Sequence, residues 1–241
     1  FSQLDSQRTA YLLRRNTHEL EMVVRELWTE LQASEFDPVG YEVAFGDDCD
    51  MEPIHIPGQK MNGLLRGFVD RVDRWESPEG NFFRVVDYKT GKKDFDYCDA
   101  FNGVGLQMLL YLFALEDGGQ KIVGVRPIPA GVQYFPARAP MITTDGRLTD
   151  EDAEGERQKQ WKRRGLLLSD EKVLQAMEPG ENPKRLSYVV KKDGSISGDL
   201  ADREQLKMLK DYLQRILGKM VDEIASGNVE PNPYTRGTSH S

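Results

Sequence analysis

An α/β or α+β sandwich is the fold class this sequence predicts, and three observations point to it. Segments with the two-residue alternation of strands are interleaved with segments whose apolar residues recur at three-and-four spacing. No internal repeat or low-complexity tract interrupts the series. With 39% hydrophobic and 30% charged residues among 241, the chain carries enough apolar material for a sizeable core in one large globular domain.

The elements follow in order. From Leu4 to Leu31, the residues Leu12, Leu13, Leu20, Val23, Val24, Leu27, Trp28 and Leu31 recur with charges between them, which predicts an amphipathic helix. Pro38 and Gly40 punctuate, and Tyr41, Val43 and Phe45 alternate as a short strand. Gly46 to Gly58, with two prolines and four acidic residues, reads as loop. Two strands follow, Leu64 to Trp75 and Asn81 to Thr90, joined by the turn Ser77-Pro78-Glu79-Gly80. Gly103 to Leu115 is apolar almost throughout and predicts a buried helix. Ile122 to Val125 and Gly131 to Phe135 read as strands, and Asp150 to Arg164 as a charged helix or solvated segment. Leu166 to Met177, a strand at Leu186 to Val190 and an amphipathic helix from Asp202 to Ala225 complete the pattern.

Charge and cysteine content set limits. A net charge of −8 argues at first against a nucleic-acid partner. Between Lys60 and Lys93, however, eight basic residues stand against five acidic ones. Cys49 and Cys98 lack CxxC spacing, so neither a disulfide framework nor a self-contained zinc site is expected. No stretch approaches the roughly 18 apolar residues of a membrane span, and no basic-then-apolar leader opens the chain. The expectation is a soluble, intracellular protein with no membrane partner. A chain that opens on Phe1 and stops at Ser241 without a closing structural signal reads as a fragment of a longer polypeptide.

The chemistry concentrates in the hairpin. A turn centred between Pro78 and Glu79 places Asp70 opposite Asp87. Directly opposed residues hold their Cβ atoms about 4.5 to 5.5 Å apart, where like charges destabilise the pair. Alternation puts Lys89 on the same face as Asp87. Two carboxylates and an ammonium therefore converge on one patch, a set that suits a hard divalent cation such as Mg²⁺, whose ligands are carboxylates, water and phosphate oxygens. The plainer reading pairs Asp70 with Arg71 or Arg84 and leaves Asp87 to Gly91 as an ordinary strand entering a turn. Gln107 and Tyr111 share one face of an apolar helix and need partners for their polar tips, from the backbone or from a ligand. His18 is either a metal ligand or a lone surface histidine. Gly103-Val104-Gly105 is a poor phosphate cradle, since no Lys-Ser/Thr follows.

Three segments in this order, GFVDRVD (Gly67 to Asp73), VVDYKTG (Val85 to Gly91) and GLQMLLY (Gly105 to Tyr111), resemble the RecB-type nuclease domain of the PD-(D/E)xK class. The likeness extends through Asp37-Pro38-Val39-Gly40 with YEVAFG, PAGVQYFPA (Pro129 to Ala137), RRGLLLSD (Arg163 to Asp170) and IASGNVEPNPY (Ile224 to Tyr234). From about Leu12 to Tyr234 the chain is similar to the C-terminal nuclease domain of the AddB chains of AddAB-type helicase–nucleases. The resemblance implies a restriction-endonuclease-like α/β core, a central mixed β-sheet flanked by α-helices. It divides the nuclease domain into an N-terminal helix (1–36), a catalytic core (37–136) and a C-terminal helical extension (137–241).

It further implies an exodeoxyribonuclease dependent on Mg²⁺ or Mn²⁺, with Asp70 and Asp87 as metal ligands, the Tyr88 carbonyl as a third, and Lys89 as the catalytic lysine. Gln107 and Tyr111 match the QxxxY element beside the active centre and the DNA, with Arg71 as further support. The implied substrate is single-stranded DNA unwound by an AddA-type helicase partner, in cytoplasmic double-strand-break repair and recombination. The family's upstream histidine follows a GxxxH pattern, and Arg14 stands four before His18, so His18 is not equated with it. Relatives hold a 4Fe-4S cluster on four cysteines. Cys49 and Cys98 match none of those positions, so this fragment is expected to lack it. The rival readings are a catalytically silent DNA-guiding or partner-bracing module, and a hydrolase of another phosphate ester. Base-stacking aromatics and a basic groove would favour nucleic acid.

Overall fold

The computed structural model describes residues 2–141, 146–228 and 230–231, so the end of the Ile224 to Tyr234 segment lies outside the described residues. The chain opens with helix α1 (Ser2–Ala33), which leads into β1 (Asp37–Phe45). The expected loop from Gly46 to Gly58 instead contains β2 (Ile54–Pro57), which pairs with β3 (Asn62–Leu65) as a separate two-stranded ribbon. Its backbone is held partly from outside: the Gln59 and Lys60 N–H groups donate to the Asp222 carboxylate. The long strand expected from Leu64 is therefore split, and β4 (Gly67–Ser77) begins only after Arg66.

Strand β4 joins β5 (Gly80–Lys89) through the expected turn, and the ladder runs from Ser77↔Gly80 to Arg71↔Val86. The Ser77 hydroxyl donates to the Gly80 carbonyl and accepts from the Glu79 N–H, which fixes the turn and hence the register.

Short α2 (Tyr97–Phe101) is capped by the Asp96 carboxylate, which accepts from the Cys98 N–H. Helix α3 (Gln107–Gly118) starts four residues later than its apolar run, because Gly103 and Gly105 take φ of 79° and 69°. Ile122 to Val125, expected as a strand, contributes to a helical turn, α4 (Gln120–Val123), that ends at Gly124 with φ 95°. So few apolar residues satisfy either period, and burial of Val123 in the core decides the outcome.

The remaining elements are β6 (Pro127–Pro136), α5 (Asp150–Gln160), β7 (Arg164–Leu168), α6 (Glu171–Met177), β8 (Tyr188–Val190), β9 (Ile196–Gly198), β10 (Leu200–Ala201) and α7 (Arg203–Ala225). Helix α7 opens with a capping box between Asp202 and Gln205.

The central sheet has six strands in the order β1-β4-β5-β6-β7-β10. It is mixed, with β5 parallel to β6 and β7 parallel to β10, and the other neighbours antiparallel. Two of its strands, β7 and β10, come from the segment beyond residue 136, so that segment is not a helical extension but completes the sheet. Helix α3 packs on β5 and β6 on the face that buries Val72 and Val85. The end of α1 and helix α6 cover the other face, where Glu30 reaches Arg84 and Gln133 meets Met177.

Candidate active site

One residue past Arg71↔Val86 along the ladder stand Asp70 and Asp87. The Asp70 Oδ2 accepts a 2.8 Å hydrogen bond from the Tyr88 N–H, so its side chain spans to the end of β5. Opposite it on the other neighbour, between the pairs Tyr41↔Arg71 and Val43↔Val69, Glu42 adopts φ of 49°. A non-glycine residue in the left-handed region costs energy and marks a strand bent at this point.

Asp87 lies near the end of β5, its side chain only 13% exposed, with Lys89 Nζ 2.7 Å from its Oδ2. Among the described residues that ammonium is the one ion-pair partner of the Asp87 carboxylate. Burial pushes the Asp87 carboxyl above its ordinary range; the Lys89 ammonium opposes that and the Asp70 charge adds to it. On the other side of Asp87 in the sheet sits Tyr134, whose phenol is raised to about 12 by burial and by the Asp87 charge. Tyr134 falls in a segment that carries the family resemblance, yet nothing in the sequence singles it out. Only the parallel pairing of β5 with β6 places it there.

Gln107 Nε2 donates to the Tyr111 hydroxyl at 3.1 Å, so the two polar tips satisfy each other. Tyr111 is buried, stacked on Phe45 at 5.2 Å, and its hydroxyl fills the space over Gly67 where any side chain would stand. This pair therefore braces the start of β4, three residues before Asp70.

Arg71 does not belong to the site. It is fully buried on the opposite face, where its guanidinium meets Asp73 at 2.8 Å and the Tyr88 hydroxyl at 2.9 Å. The Tyr88 side chain follows it there, and only the backbone of Tyr88 faces the carboxylates. Nor do Arg71 and Arg84 pair with Asp70, since both contact Asp73 and Glu30. His18 is exposed on α1, 4.0 Å from Glu21. Cys49 and Cys98 are both exposed and free. Among the described residues no group of three or more His, Cys, Asp and Glu side chains gathers as a metal shell.

The donor set can be tested against a divalent ion. Two carboxylates side by side, one raised by burial and by the charge of the other, fit a hard cation that completes its shell with water and substrate oxygens. They do not fit a closed structural zinc site, which takes four protein ligands.

Opposed carboxylates, a lysine two residues on and a mixed sheet flanked by helices together define a nuclease core of restriction-endonuclease type. The family model of the PD-(D/E)XK nuclease superfamily matches residues 1–239, and the chain belongs to that superfamily. Among curated relatives, the B chain of the ATP-dependent helicase/deoxyribonuclease from Acetivibrio thermocellus is 37% identical over 225 residues, covering 89% of this chain and 20% of the relative. Its namesakes from Clostridium tetani and Oceanobacillus iheyensis are 36% and 33% identical, covering 86% and 95% of this chain and 18% and 20% of the relatives. The chain thus spans about a fifth of the length of the curated relatives it matches.

Proposed function

We propose that this chain is a Mg²⁺- or Mn²⁺-dependent exodeoxyribonuclease domain that hydrolyses single-stranded DNA delivered by a helicase partner during double-strand-break repair. Asp70 and Asp87 would hold the ion, with the Tyr88 carbonyl as a further oxygen ligand. When bound, such an ion supplies Lewis-acid polarisation of a phosphoryl oxygen and offsets the repulsion between the carboxylates. The observation that carries this reading is the pair of carboxylates, Asp70 and Asp87, side by side at the end of β5 with one ammonium, Lys89, against them, so that burial and the Asp70 charge raise the Asp87 carboxyl.

The chain's own groups have separable tasks. Tyr88 orients Asp70 through its N–H. Lys89, with 39% of its side chain exposed, is accessible enough to neutralise charge developing on the scissile phosphate or to orient the attacking water. The Tyr134 phenol keeps its proton at neutral pH, so it adds no negative charge to the site.

The test is degradation of labelled single-stranded DNA with Mg²⁺, Mn²⁺ or EDTA by this chain, its Asp87→Ala and Lys89→Ala variants, and the parent helicase–nuclease complex. Metal-dependent cutting that both substitutions abolish is the expected result. Parent complex that cuts no better than its Asp87→Ala form would leave a DNA-guiding module with a nuclease fold. The relatives' helicase/deoxyribonuclease name motivates the helicase partner.

A further inference from the structure

Next to Lys89 the surface opens into a cavity of about 640 Å³, walled by the turn after β5, the end of β6 and the segment joining α5 to β7. Its lining carries Lys92, Lys93, Arg138, Lys159, Lys162 and Arg164 in addition to Lys89 and, among the described residues, no acidic side chain. In a chain of net charge −8, seven cations on one concave wall are a strong local reversal. Carboxylates outside the lining offset some of it. Lys159 reaches Glu156 at 2.6 Å, while Arg164 and Lys92 share Asp94 at 3.4 and 3.7 Å. Among the described residues Lys93, Arg138 and Lys162 make no ion pair with a carboxylate.

We infer that this trough binds the sugar–phosphate backbone of the single strand cut at the Asp87 centre, with Arg138 and Lys162 as its principal phosphate contacts. The inference rests on the nuclease reading and adds to it a path for the strand. Three features support it. One end of the trough is Lys89, whose Nζ lies 2.7 Å from the Asp87 carboxylate, so a backbone lying in it ends beside the carboxylates. Lys93 belongs both to the wall and to the centre: its charge acts on Asp87, and its Nζ lies beside the Gly105 turn that leads into α3. The cations also line a concave wall, the kind of charged groove along which a single strand's backbone is tracked.

The wall indicates how the strand is read. Its two aromatic residues, Tyr134 and Phe135, are 5% and 0% exposed, so they offer no ring face on which bases can stack. Recognition therefore falls on phosphates, which makes binding indifferent to sequence and steeply dependent on salt.

Fluorescence anisotropy with labelled oligo(dT), in EDTA over a series of salt concentrations, tests this on the full chain. Arg138→Ala/Lys162→Ala is compared with Lys191→Ala/Lys192→Ala, two exposed cations outside the trough. The trough variant is expected to bind about tenfold more weakly, with the salt slope reduced by about 1.4, since each phosphate contact to a single strand contributes about 0.7. The control is expected within about twofold of the wild type, and Arg138→Lys/Lys162→Arg should restore the slope. In cleavage assays the trough variant should raise KM.

Equal affinity and slope in the trough and control variants would overturn the inference, as would a wild-type chain that does not bind oligo(dT). An equal loss of blunt duplex binding in the trough variant would overturn the single-strand assignment. Should any of these occur while Asp87→Ala still abolishes cutting, the trough assignment alone fails. If Asp87→Ala leaves cutting intact, the nuclease reading fails on its own terms.

Discussion

Two groups of charge lie back to back on the same hairpin, and they are built by opposite rules. On the face covered by α1, Glu30, Asp73, Arg71, Arg84 and Arg163 are all at least 95% buried, and each is paired. Glu26, Glu178 and Arg185 extend the group, so that among the described residues four carboxylates face four guanidinium groups. Burial alone would raise the Glu30 carboxyl, but Arg163, Arg84 and Arg71 outweigh it and hold the group down at about 2. On the other face, one residue further along the same strands, Asp87 is raised by burial and by the Asp70 charge beside it, and Lys89 is its one ion-pair partner among the described residues. The paired cluster ties α1 to the sheet. At the other, one ammonium faces two carboxylates, an arrangement that a cation would complete.

The comparison breaks most visibly at Asp87. Substituting Asp87→Ala is expected to lower DNA cleavage by about a thousandfold or more, the scale of losing a principal electrostatic group in a catalytic centre. Thermal stability should stay the same or rise, because the change relieves repulsion from Asp70. A loss of fold in circular dichroism would instead place Asp87 with the structural charges.

Glu30→Ala is expected to do the reverse. It strands three buried arginines without their shared carboxylate and should cost about 3 to 5 kcal/mol in denaturant unfolding. A cost under about 1 kcal/mol, the range of surface pairs, would show the cluster to be weakly coupled.

Acid titration sharpens the same contrast. Because the Glu30 carboxyl is held at about 2 in the folded chain and returns to about 4.3 on unfolding, its stabilisation is complete above about pH 4.3. It is lost as pH falls from there towards 2. A melting series from mildly acidic pH downwards should show this loss in the wild type, and Glu30→Gln should flatten it.

The smallest expected effect is at Gly67. A methyl group there overlaps the Tyr111 hydroxyl, so Gly67→Ala should cost about 1 to 3 kcal/mol and reduce cleavage by displacing the start of β4. Unchanged stability and activity would separate the Gln107–Tyr111 pair from the active centre.

How much of this is legible in the sequence depends on range. The β4–β5 register follows from a local signal, Pro78-Glu79-Gly80 between two β-rich runs, so the meeting of Asp70 and Asp87 can be read directly. The buried cluster cannot, because Glu30 meets Arg84 and Arg163 across 54 and 133 residues. For the same reason the basic stretch from Lys60 to Lys93 misleads. Its Arg71 and Arg84 turn inward to Glu30 and Asp73, and most of the basic surface comes from Arg138 to Arg164, which no local count joins to Lys92 and Lys93. Strands β7 and β10 escape as sheet members because two to five residues carry too little period to separate strand from helix.

The most direct test of the central claim is calorimetric titration of Mn²⁺ into the chain and into its Asp70→Asn/Asp87→Asn form. The account predicts saturable binding to the wild type that the double substitution removes, with unfolding unchanged. Equal binding by both forms, or none by a wild type that still cuts DNA, would contradict it.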